Sequence, residues 1–305
     1  MILPRSQHLL TTMVRYVWRE LLVLLAYDLI VVMAYQLGHL KWVALQHVPL
    51  ALYGSVIGVI LGFRNNSAYL RWWEARTLWG SIVNNSRSLA RQVTTAMRPV
   101  HESDAAELKT MQRRLVYHQI AYVHALRQQL RQLEPWTELS PLLKETELSA
   151  LRDEKNIPLA IQQQIAAMLR ECMDRGWMDS MVWRAMDQSL DDLADAQGGT
   201  ERIKNTPMPK QYDYFPKLFV QLYCVVLPLS MVMTLGWLTP LGSTLVGFIF
   251  LAFDRIGRDL EDPFENTIYD IPLTSLSRTA EINMRQLLGE TSLPAAEKAS
   301  HGVLW

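Results

Sequence analysis

The sequence predicts an all-α integral membrane protein with four spans and a helical cytoplasmic region. Three observations lead there. Residues 218–253 form a run of 36 without a charged side chain. A hydrocarbon core about 30 Å thick takes roughly 20 helical residues per crossing, so that run suits two crossings and a tight turn. No alternating apolar–polar strand pattern occurs in the 305 residues, while apolar side chains recur at three- and four-residue spacing. The formal net charge is zero, but charged and apolar residues are segregated along the chain, which average composition hides.

The elements follow in order. The first span, 21–38, is rich in Leu, Val and Ile and is interrupted by Asp28. A charge at the bilayer centre costs at least ~2.5 kcal/mol. Asp28 therefore implies a partner, and a polar contact with another helix is favoured over a place in an ion path. The second span, 43–63, has Pro49 near its start and His47 as its one ionisable residue. From 64 to about 97 there is no proline and only Gly80 among glycines, so this helix continues out of the membrane until Pro99.

A second cytoplasmic helix starts near Ser103 with Glu107 in its first turn. Its apolar face is Leu115, Tyr122, Leu126, Leu130 and Leu133. Ser140-Pro141 opens shorter pieces through Leu151. Helices over 157–175 and 178–196 follow, broken by Gly176 and ended by Gly198-Gly199, and Thr206-Pro207-Met208-Pro209 leads back to the membrane. The last two spans share 218–253, turning at Gly236 to Pro240, with Pro240 opening the returning helix and Pro228 kinking the third span. The polar stretch after Leu288 reads as a loosely held tail. The chain thus divides into 1–63 (N-terminal segment and two spans), 64–217 (cytoplasmic helices), 218–253 (two spans) and 254–305 (cytoplasmic C-terminal segment).

Basic residues set the orientation. Arg5, Arg15 and Arg19 precede the first span, and 64–131 holds eleven Lys/Arg against four acids. The loop between the first two spans offers Lys41, and the turn between the last two offers none. The positive-inside rule places both termini and the long central region in the cytoplasm. Trp18, Trp42, Trp72, Trp73 and Trp237 suit interfacial anchors. The N-terminus shows no small-residue cleavage site after a short apolar core, so no removable signal peptide is expected.

Composition and spacing argue against an enzyme. There is no phosphate-binding glycine loop, nucleophile elbow or metalloprotease helix. Cys172 and Cys224 have no metal-ligand or redox spacing and read as packed thiols. His118 and His124, six apart, fall on different helical faces. Asp187, Asp191, Asp192 and Asp195 read as a solvated or salt-bridged face. Balanced charge gives no argument for a nucleic-acid partner, and no cofactor or metal is implied.

The second span carries a sharper pattern. Gly54, Gly58 and Gly62 form a small-residue ridge, which in lipid allows close approach of another helix. The adjacent ridge is Ser55, Val59 and Phe63. Spacing leaves two readings open: both ridges pack within one chain, or the second lines a central axis as an apolar constriction that gates by dewetting.

Leu61-Gly62-Phe63-Arg64-Asn65-Asn66-Ser67-Ala68-Tyr69, followed by Glu74-Ala75-Arg76 and Leu78-Trp79-Gly80, resembles the bacterial branch of the bestrophin family. So do Glu201-Arg202-Ile203 with Thr206-Pro207, and Leu260-Glu261-Asp262-Pro263-Phe264 with Asp270-Ile271-Pro272-Leu273. These blocks run in order from about 61 to 273. The resemblance implies a homopentameric ion channel of the bacterial inner membrane, contacting lipid and passing small monovalent ions. It carries the pore neck onto Ser55, Val59 and Phe63. Ser55 departs from the family's bulky aliphatic, which implies a wider or wetter outer neck. The cytoplasmic aperture maps to Met181, where a branched aliphatic is more usual and Met makes a softer ring. Eukaryotic relatives bind calcium through a run of acids after the Pro-Phe block. Here Glu265-Asn266-Thr267-Ile268-Tyr269-Asp270 stands there, so calcium-independent gating is expected. Glu261 and Asp262 read as structural partners of Arg255 or Arg258. A modest preference for cations over chloride follows from the bacterial likeness alone. The rival classes are a membrane-anchored scaffold and a secondary transporter, the latter usually larger and built from repeats with broken helices.

Overall fold

The computed structural model describes residues 16–300 and 302–305. Arg5 and Arg15 lie outside the described residues. Ten α-helices occur among them: α1 Trp18–Gln36, α2 Leu50–Ala96, α3 Ala105–Leu130, α4 Trp136–Leu139, α5 Glu145–Leu151, α6 Ile157–Asp174, α7 Ser180–Asn205, α8 Lys210–Leu235, α9 Thr239–Glu261 and α10 Leu273–Leu287. The one paired segment among these residues is the isolated bridge Ser300–Val303. The described residues form two compact units, one of 16–72 and 207–262, the other of 73–206 and 263–305.

In the first unit, α1 packs on α8 and α9, and α8 packs on α9. One apolar cluster in it joins Leu24, Ile57, Leu61, Val220, Tyr223, Cys224 and Leu227. Gly236, at φ +52°, ends α8, and a single 3-10 turn over Gly236–Leu238 leads into α9 with Pro240 in its first turn. The stretch 210–261 is the one among the described residues that is long and apolar enough to cross a membrane by composition alone. The second apolar run starts later than its sequence suggests. Residues 43–49 stay outside the helix, which begins at Leu50 behind Pro49, because proline lacks the N–H a helix interior needs.

In the second unit, α3 packs on α6, α10, α7 and α4, and α6 packs on α7 and α5. Leu115, Tyr122, Leu126 and Leu130 are buried as their spacing predicts. Leu133 is exposed instead, because α3 ends at Leu130 and Gln132 adopts φ +56°. Ser140-Pro141 follows α4 rather than opening a helix; Pro135 precedes the first residue of that piece. Asn156 caps α6 by accepting the Leu159 N–H at 3.1 Å, and Asp179 caps α7 through the Val182 N–H at 2.8 Å. Helix α7 does not stop at Gly198-Gly199 but runs on to Asn205. A Cβ on Gly199 would stand 2.8 Å from Leu78 Cδ1, so this glycine serves helix contact, not termination.

The histidines have separate partners. His118 Nδ1 lies 2.8 Å from the Arg114 carbonyl. His124 is buried between two carboxylates, with Nδ1 2.9 Å from Glu138 and Nε2 3.1 Å from Glu281. The tail after Leu288 is tied down at two described points: the Ser275 N–H donates to the Trp305 carbonyl at 2.7 Å, and Arg285 reaches the Ser292 carbonyl at 3.2 Å.

Candidate pore-lining face

Helix α2 runs 47 residues without interruption. Within the first unit it turns Ile57, Leu61, Arg64 and Ala68 inward, all buried at helical spacing. The face opposite is open. Val59 is 59% exposed and Phe63 69%, and Ser55 beside them is exposed, its hydroxyl donating to the Ala51 carbonyl at 2.7 Å. Leaving Val59 and Phe63 uncovered in water would forgo ~1.5–3 kcal/mol each. A single chain leaves this ridge uncovered.

The glycine ridge splits. Gly54 lies against Tyr223, where an added Cβ would come 2.7 Å from the ring hydroxyl, while Gly58 and Gly62 face open space. Between α2 and α8 runs an apolar groove of about 700 Å³, walled by Leu52, Val56, Ile60, Phe219, Leu222 and Val226.

Several motif residues after Phe63 reach other helices. The Arg64 guanidinium, 2% exposed, donates to the Asp254 carbonyl at 2.8 Å, to Asp254 Oδ1 at 3.0 Å and to Asp213 Oδ1 at 2.7 Å. Asn65 donates to the Phe253 carbonyl at 2.9 Å, and Asn66 is exposed. Glu74 pairs with Arg202, and Arg76 lies beside Gly80. Arg71 Nε donates to the Glu261 carbonyl at 2.8 Å.

Arg255 and Arg258 meet other acids of α9. Arg258 sits 2.9 Å from Asp254, one turn back on α9, and Arg255 lies 3.6 Å from Asp259. Pro263 is buried, and its carbonyl accepts the Ile271 N–H at 3.3 Å. Asp270 is buried too, accepting the Thr267 N–H at 2.9 Å and hydroxyl at 2.6 Å.

Asp28 has the helix contact its position implies. Fully buried, it accepts the hydroxyls of Ser243 and Thr244 on α9, each at 3.1 Å. Sequence reading missed these two hydroxyls, and it missed Asp213, Asp254 and Gly257 around Arg64. All lie more than 140 residues from their partners, beyond any spacing signal. In the second unit Met181 is 75% exposed at the start of α7, and Asp191, Asp192 and Asp195 are exposed further along that helix.

The profile described as bacterial/fungal bestrophin protein matches residues 6–286. A voltage-dependent anion channel-forming protein of Ralstonia nicotianae is 35% identical over 259 residues, 84% of this chain and 83% of its own length. A protein of the same description from Escherichia coli K12 is 33% identical over 250 residues, 81% and 78% of the two chains. The crystal structure of a bacterial bestrophin homolog from Klebsiella pneumoniae superposes with a TM-score of 0.83 at 29% identity, covering 90% of this chain and all of that one. The chain belongs to the bacterial/fungal bestrophin family, a family of membrane ion channels, and is a channel rather than an enzyme.

Proposed function

We propose that five copies of this chain surround an axial pore whose neck is three stacked rings of Ser55, Val59 and Phe63. The observation that carries this reading is the exposure of Val59 and Phe63 on the ridge beside the open Gly58 and Gly62. An apolar face abandoned by its own chain needs either lipid or copies of itself. Small residues beside it suit close helix approach, and the apolar groove behind it offers that approach a wall. In this reading α1, the start of α2, α8 and α9 are the four spans, both termini are cytoplasmic, and the membrane is the bacterial inner membrane.

Met181 forms a second, softer constriction on the cytoplasmic side. The exposed Asp191, Asp192 and Asp195 on the same helix would give a pentamer an acidic vestibule, and rings of acids favour cations. That supports a slight preference for small monovalent cations, although the relatives are named for anions. Calcium independence is supported by Asp270, whose carboxylate is occupied by Thr267 in its own turn.

The test is the reversal potential of purified protein in a planar bilayer under a NaCl gradient, beside Phe63→Ala. A shift toward the Na⁺ equilibrium potential with larger currents in the variant supports the reading. A shift toward the Cl⁻ potential keeps the pore and reverses the ion preference. No current from either protein, with pentamers intact, favours a scaffold.

A further inference from the structure

Directly after Phe63 the polypeptide buries a cation. Arg64 meets oxygens from two other helices, Asp254 on α9 and Asp213 on α8. Asp254 is itself buried and also holds Arg258 at 2.9 Å. The next residue, Asn65, donates to the Phe253 carbonyl. Helix α9 comes so close here that a Cβ on Gly257 would stand 2.2 Å from Asn65 Oδ1 and 3.0 Å from Arg64 Nη1. Two consecutive residues of α2 are thus bolted to one turn of α9. Successive helical residues are about 100° apart, so fixing Arg64 and Asn65 fixes the direction of the Phe63 side chain.

The bolt is not equally buried throughout. The Asp213 side chain is 42% exposed, against 3% for Asp254. Asp213 sits in the first turn of α8, just after Pro207-Met208-Pro209. Removing one partner of a buried pair leaves an uncompensated charge, so Asp254 cannot be let go cheaply. Asp213 can, because water takes its place.

We propose that Arg64, Asp213 and Asp254 form a latch that positions Phe63 in the narrowest ring of the neck, and that the Asp213 arm is where it is released. The proposal rests on the pore reading above for its consequence, but the latch itself is a property of the single chain. It makes Asp213 a positioning residue for conduction, coupled to the neck through Arg64.

Two readouts test it. The first is the rate at which a small thiol reagent modifies Phe63→Cys in detergent-solubilised protein, alone and combined with Asp213→Asn or Asp213→Glu. Asp213→Asn should speed labelling about two- to fivefold, the scale of a half-exposed ion pair, and Asp213→Glu, which keeps the charge, should restore the slower rate. Equal rates in all three would overturn the latch, and so would acceleration by Asp213→Glu equal to that by Asp213→Asn. The second is bilayer current. Asp213→Asn should raise it by a similar factor, and adding it to Phe63→Ala should raise it no further, since both act through one ring. Independent, multiplicative effects would overturn the latch. Faster labelling without current in any protein would keep the latch and remove the pore reading.

Discussion

The two units of this chain solve different problems with the same secondary structure. The unit of 73–206 and 263–305 closes a core of its own: Trp79, Ile120, Tyr122, Leu126, Leu139 and Leu151 are essentially inaccessible. The other unit keeps a thinner core and leaves Val23, Val59, Phe63, Trp42 and Leu241 more than half exposed. One unit answers to water, so its apolar area is inside. In the proposed reading the other answers to lipid and to neighbouring copies, so much of its apolar surface stays outside, and the polar groups it buries are paired. Asp28 with Ser243 and Thr244, and Arg64 with Asp213 and Asp254, are the cases in point.

The contrast breaks most visibly under truncation. Leu126→Ala, in the closed core, should destabilise the protein by about 2–5 kcal/mol, read as a fall in melting temperature of purified assemblies. Val59→Ala, on the open ridge, should leave that melting temperature nearly unchanged and alter conductance instead. Equal destabilisation by both would mean that the ridge is core after all.

A middle-sized effect is expected at the helix crossing of the second unit. Gly199→Ala places a methyl 2.8 Å from Leu78, and overpacking of this kind costs about 1–3 kcal/mol. Gly198→Ala, one residue away and facing open space, should cost nothing or stabilise slightly by its helix propensity. Urea or thermal unfolding of the two variants separates them.

Acid sharpens the comparison further. Burial opposes ionisation of Glu138, but hydrogen bonding from His124 and the charge of Arg127 hold its carboxyl at about 2, below the usual 4.5. A depressed folded-state value contributes stability above the unfolded pKa, and that contribution is lost as pH falls from about 4.5 toward 2. Glu281, also buried and held low by His124 and Arg278, adds in the same direction. The second unit should therefore lose stability in that window, and Glu138→Gln should flatten the loss while lowering stability at neutral pH. Unchanged acid sensitivity in the variant would remove Glu138 from the account. The smallest effect belongs to Arg170→Ala. Its pair with Asp174 is exposed on both sides, and its removal should shift stability by less than about 0.5 kcal/mol.

Much of this was legible in the sequence where a local rule applied. The uncharged run 218–253 and Gly236 with Pro240 gave the last helical hairpin its turn, and four-residue spacing picked out both Gly58 and Val59 on α2. Local rules failed where a distant partner decided the outcome. Gly198-Gly199 reads as a stop, yet α7 continues to Asn205, and Gly199 leaves room for Leu78. Arg258 looks like a partner for the acids of its own motif, yet it joins Asp254 and the Arg64 cluster. Asp213 carries no motif at all, because its role exists only once α8 has folded back beside Arg64.

The central claim is that the ridge Ser55–Val59–Phe63 faces a conduction path while Ile57 and Leu61 face the helical bundle. Single cysteines at these positions test it directly, and the background is favourable because Cys172 and Cys224 are both buried. A charged, membrane-impermeant thiol reagent applied to channels in a bilayer should block current through Val59→Cys and Phe63→Cys and leave Ile57→Cys and Leu61→Cys untouched. Block through positions 57 or 61, with 59 and 63 inert, would contradict the account.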